Sequence, residues 1–113
     1  MLRPFLIATA LSVVVVLSGS AVASAGTCSA PKYPGSGYFT SLKVTNVSCS
    51  TGKKVTLAHY RCRTRHGKTG RCSSKVLGYS CSEKRRSIET EIDATVTCKN
   101  GSKKVVYSYQ QDT

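Results

Sequence analysis

A reactive centre in this 113-residue chain would most readily be assembled from two histidines, five acids and six cysteines. His59, Cys62, His66 and Cys72 lie close together and are residue types that zinc takes as ligands. Their spacing matches none of the short Cys and His repeats of closed zinc sites, and no metal ligand is assigned. A small ribonuclease would pair a histidine with a glutamate or a second histidine and hold the phosphate with Arg or Lys. His59, His66, Glu83, Arg61 and Arg63 supply those types. The same types occur in almost any basic domain, and nothing in their order groups them. Neither a Gly-rich phosphate loop nor a cofactor motif is present. The sequence therefore assigns no catalytic residue and no cofactor, and an enzyme is the disfavoured reading.

What the chain has in excess is positive charge. Its formal net charge is +12. Arg61, Arg63, Arg65, Lys68, Arg71 and Lys75 form one basic run, Lys84-Arg85-Arg86 a second, and Lys99, Lys103 and Lys104 a third. The acids gather mostly between Glu83 and Asp93. Such a field attracts polyanions or acidic protein faces, or simply keeps a small protein soluble. The run from residue 61 to 75 is the candidate binding segment.

The cysteines set the compartment. Arg3 precedes an apolar stretch from Phe5 to Leu17, and Ala23-Ser24-Ala25 offers the small residues a signal peptidase requires. The apolar run is shorter than the roughly 20 residues of a membrane span. Residues 1–25 are therefore expected to be a cleaved signal peptide, and the product to be secreted. Cys28 is not placed directly after the cut, as a lipid anchor would require. Cys28, Cys49, Cys62, Cys72, Cys81 and Cys98 all stay in the mature chain. An even count in a short exported chain reads as a disulfide framework.

These residues must be positioned by a few short elements. Residues 26–39, rich in Gly, Ser and Pro, read as an extended lead, and residues 40–113 as the domain. Phe39, Leu42, Val44 and Val47 recur at the period of a half-buried strand. Ser48 is a suitable N-cap for a helix from Cys49 to Arg63 with Thr51, Val55, Ala58 and Cys62 on one face. Lys53, Lys54, Tyr60 and Arg61 would then face water. The competing reading makes Thr51-Gly52 a hairpin turn. Residues 78–83 read as a short strand and Lys84-Arg85-Arg86-Ser87 as a turn. Asn100-Gly101 is a preferred hairpin turn and would set Cys98 opposite Lys103 and Val96 opposite Val105. Ile92, Ala94, Val96, Cys98, Val105, Tyr107 and Tyr109 then share an apolar face, with both tyrosines in the core. Tyr33, Tyr38 and Phe39 form either a recognition patch or an anchor for the lead.

The resulting fold class is α+β: a small disulfide-stabilised β-α-β-β-β domain, one helix on an antiparallel-rich sheet. A crossover through the helix would make the strands on either side of it parallel. That arrangement suggests Cys49 with Cys81, Cys62 with Cys72 and Cys28 with Cys98, one of 15 possible pairings.

Val47-Ser48-Cys49, Tyr60-Arg61-Cys62, Gly78-Tyr79-Ser80-Cys81 and Val96-Thr97-Cys98-Lys99-Asn100-Gly101 carry a resemblance. They resemble a diffuse group of small secreted disulfide proteins of high-G+C Gram-positive bacteria. The resemblance covers roughly residues 40–109 and implies a helix after the first motif, a secreted location and no particular activity. The function expected is a non-catalytic binding module for an anionic polymer or an acidic protein surface. A secreted effector (a nuclease, another hydrolase or an antimicrobial) or a protease inhibitor is the alternative.

Overall fold

A computed structural model describes residues 24–113 and, apart from them, Ser12. The expected leader thus lies outside the described residues except for Ser12, Ser24 and Ala25. Five strands and one helix follow: β1 (Ala25–Cys28), β2 (Gly37–Thr45), α1 (Cys49–Thr64), β3 (Ser80–Ile88), β4 (Glu91–Asn100) and β5 (Lys103–Asp112). They form one sheet in the order β1-β2-β5-β4-β3, antiparallel throughout. The helix packs over β1, β2 and β5.

The α+β class expected from the sequence is the one observed, a single helix on a sheet held by three disulfides. The helix begins where Ser48 predicts. The Ser48 backbone is extended, and its Oγ accepts a hydrogen bond of 3.1 Å from the Thr51 amide, satisfying an otherwise unpaired N–H. Thr51-Gly52 is therefore helix and not a turn. Gly52 faces β2 so closely that a Cβ there would lie 2.5 Å from Val44 Cγ1. The glycine lets helix and sheet approach.

Five expectations are corrected. No parallel crossover exists: β2 and β3 lie on opposite sides of the β4–β5 hairpin, because the chain from the helix runs to the far edge of the sheet. Lys84 to Ser87 is strand, paired along its length with β4, and the chain reverses only after Ile88. The β4–β5 hairpin turns at Gly101-Ser102, which places Cys98 opposite Val105 and Val96 opposite Tyr107. Gly101 has φ +59, the left-handed geometry that a Gly-first turn accepts. This two-residue slip preserves every face, because side chains alternate with period two, so the predicted apolar face is the buried one. Part of the N-terminal lead is also strand, β1 pairing along the edge of β2.

The fifth correction concerns the disulfides, which join Cys28 to Cys49, Cys62 to Cys72 and Cys81 to Cys98. Only the middle pair matches the expectation. With β3 hydrogen-bonded beside β4, Cys81 sits directly opposite Cys98, and the β1 edge brings Cys28 to the first turn of the helix. The core between helix and sheet contains Leu42, Val44, Val55, Val96, Cys98, Val105, Tyr107 and Tyr109.

Candidate functional site

The helix phase decides where the predicted basic residues go. Its buried positions are Gly52, Val55, Thr56, His59, Cys62 and Arg63. These recur at three- and four-residue steps, one helical face. It is rotated from the expected one: Thr51 and Ala58 are only partly buried, and Arg63 points inward.

Arg63 is fully buried, which removes it from the candidate surface. Its Nη2 donates to the Tyr33 hydroxyl at 2.7 Å and to Gln111 Oε1 at 2.9 Å, and its guanidinium lies 4.1 Å from the centre of the Tyr109 ring. Among the described residues it forms no ion pair. Aromatic faces and neutral oxygens hold the charge instead. Tyr33 is thus an anchor of the N-terminal lead, packed edge-on against Phe39 and Tyr60, while Tyr38 is exposed. Gln111 is a member of this cluster that residue types alone gave no reason to select.

A second knot fixes the loop after the helix. Glu83 accepts hydrogen bonds from Arg85 Nε and the Tyr109 hydroxyl, each at 2.7 Å. Arg85 reaches on to the carbonyls of Thr69 and Gly70, at 2.7 and 2.9 Å. Arg71, from the candidate set, approaches the same carboxylate at 3.5 Å. Arg71 is thereby partly neutralised. Burial of Tyr109 raises its hydroxyl to about 12, so it remains a donor at neutral pH.

The remaining cations are exposed but divided. Lys68 stands at a separate 270 Å³ hollow with Tyr33, Tyr60, Thr64 and Gln111. Arg61, Arg65 and Lys75 share a 230 Å³ groove between the helix end and the loop, floored by Ala58, Cys62, Val76 and Leu77. The Cys62–Cys72 disulfide pins the two sides of this groove together. Val76 and Tyr79 exchange both backbone hydrogen bonds around Leu77-Gly78, whose φ values are +50 and +82. Positive φ at both central residues is the pattern of a type I′ turn, where Asn and Gly are at ease and a leucine is strained. Leu77 is nevertheless 63% exposed. Nothing in the core requires it.

The two candidate histidines lie in different environments. His59 is 2% exposed and hydrogen-bonded through Nδ1 to the Tyr107 hydroxyl. Burial lowers its pKa to about 4, so it is neutral and shielded at physiological pH. His66 lies exposed in the loop. Cys62 and Cys72, the two sulfur members of the zinc-like set, are bonded to each other. Among the described residues no helix is long and apolar enough to cross a membrane. No family model, curated protein or solved structure matches this chain.

Proposed function

We propose that the protein is a secreted, non-catalytic binding module that grips an anionic polymer or an acidic protein face through the Arg61–Arg65–Lys75 groove. The observation that carries this reading is the groove's composition. Three cations without an acidic partner among the described residues line one groove with an exposed leucine held in an unfavourable backbone conformation. Strain that packing does not demand is a pointer to use. The partner would present negative charge beside a small apolar surface. Three disulfides suit an oxidising compartment, and cleavage after Ala25 would leave Gly26 to start β1. The same reading places the chain with the small secreted proteins of high-G+C Gram-positive bacteria that its cysteine motifs resemble.

Binding to an immobilised anionic polymer should weaken steeply with salt, because each phosphate or carboxylate contact releases a counterion. Replacing Arg61, Arg65 and Lys75 with Gln should reduce both the affinity and the salt slope. Affinity indifferent to salt, or unchanged in the triple variant, refutes the proposal. Turnover of RNA by the purified protein would establish the catalytic alternative. The enclosure of His59 argues against that outcome.

A further inference from the structure

The outer face of the sheet, away from the helix, carries a second unassigned concentration of charge. Lys104 sits directly opposite Lys99 on β4 and Thr45 on β2, and Lys43, two residues before Thr45, lies opposite Val106. Like charges directly opposite each other destabilise a sheet. Among the described residues none of these three lysines has an acidic partner. The acids on the same face stand at its other end, where Glu91 opposes Asp112 and Asp93 follows. Asp93 is six residues from Lys99, about 20 Å along a strand. That exceeds the screening length of about 8 Å at physiological salt, so the lysines go uncompensated.

The face is also concave there. A 380 Å³ hollow at the β1–β2–β5 edge is lined by Thr27, Lys43, Thr45, Lys104 and Val106 together with the β1 backbone. Two lysines and two threonines line it from three strands. Arginine, whose planar fork grips carboxylate and phosphate alike, is absent from the lining; the charge comes from lysines, which bind phosphate as point charges, with threonine hydroxyls as the accompanying donors. We infer that this hollow is a phosphoryl-binding site in which Lys43 and Lys104 supply the charge and Thr27 and Thr45 the hydroxyl donors. It is separate from the groove at the helix end and would bind even if that groove does not.

The test is an NMR titration of the secreted protein, expressed from the full chain, with three probes: inorganic phosphate, a short phosphodiester oligomer and a polyglutamate peptide. Saturable shifts at Thr27, Lys43, Thr45, Lys104 and Val106 with either phosphate probe are expected. A response to inorganic phosphate identifies a free anion as sufficient, and a response to the oligomer alone identifies a polymer. In the Lys43→Gln, Lys104→Gln double variant the affinity should drop at least tenfold. Shifts at Arg61, Arg65 and Lys75 report on the other groove in the same spectra, so the two sites fail or succeed independently. Absence of saturable shifts in the hollow with both phosphate probes overturns the inference. Equal or tighter binding of polyglutamate there also overturns it, since the ligand would then be a carboxylate.

Discussion

Substitution of Arg63 tests whether a buried cation without an acid stabilises this fold by its charge or by its bulk. Its two close hydrogen bonds end on groups that also bond elsewhere. The Tyr33 hydroxyl donates to Gln111 Oε1 at 2.5 Å, and Gln111 Nε2 donates to the Lys68 carbonyl at 2.7 Å. Removing the guanidinium therefore leaves Tyr33 and Gln111 paired. Arg63 Nε itself has no partner among the described residues. Two bonds from a charged donor contribute about 1.5–3 kcal/mol each, and the contact with the Tyr109 face about 2 kcal/mol when desolvated. Against these stands a desolvation penalty of several kcal/mol for a buried ion. The electrostatic balance is near zero, and the remaining contribution is packing. Arg63→Met, which keeps the bulk, should lie within about 1 kcal/mol of the parent. Arg63→Ala should cost about 3 kcal/mol through the cavity it opens. Urea unfolding with the disulfides intact, followed by circular dichroism, gives both values from the midpoint if the slope is unchanged. A Met variant as unstable as the Ala variant would show that the charge is required and refute this reasoning.

Three further outcomes follow from individual positions. Because the folded-state pKa of His59 is depressed to about 4, the unfolded chain takes up a proton at about pH 6.5 that the folded chain refuses. Stability is full above that pH and falls between 6.5 and 4, by roughly 3 kcal/mol at most; a titration midpoint for His59 near 6.5 by NMR would contradict this. Gly52→Ala should destabilise by about 1 kcal/mol, since crowding against Val44 outweighs the helix-propensity gain of about 1 kcal/mol; a rise in melting temperature would show that the helix can retreat from β2. Leu77→Asn should stabilise by about 0.5–1 kcal/mol by relieving positive φ while weakening capture of the anionic partner, and loss of stability would remove the argument that Leu77 is held there for binding.

Much of the fold was legible because local signals agreed with one another. Ser48 capped a segment of helical length. Alternation from Ile92 to Tyr109 placed seven residues on one face, and all seven are buried. What failed was partner choice. A slip of two residues satisfies the same alternation, so only the backbone preference of Gly101-Ser102 over Asn100-Gly101 could set the register. Polar β3 misled for a related reason. Its charged residues Lys84 and Arg86 face solvent while Glu83 and Arg85 point toward the loop, so no apolar alternation marks the strand. The disulfide pairing then followed the mistaken strand order, except for Cys62–Cys72, whose ten-residue separation is local enough to survive it.

The candidate binding site was legible as a segment but not as a surface, and Arg63 shows why. Composition treats the six basic residues from Arg61 to Lys75 as equivalent. Geometry sends them to four environments: the core for Arg63, a tyrosine-lined hollow for Lys68, the Glu83 knot for Arg71, and one groove for Arg61, Arg65 and Lys75. The deciding variable is helix phase, which an apolar stripe normally reveals. Here the buried face consists of Gly52, Val55, Thr56, His59, Cys62 and Arg63, only partly hydrophobic, so hydropathy could not fix its rotation. Arg63 lies four residues from His59 and eight from Val55, positions that share a face on any α-helix. Once His59 is recognised as a packed side chain, Arg63 must be buried beside it. Arg61 and Arg65, each two residues or about 200° around the helix from it, then emerge together on the opposite side, four residues apart, where they border the groove.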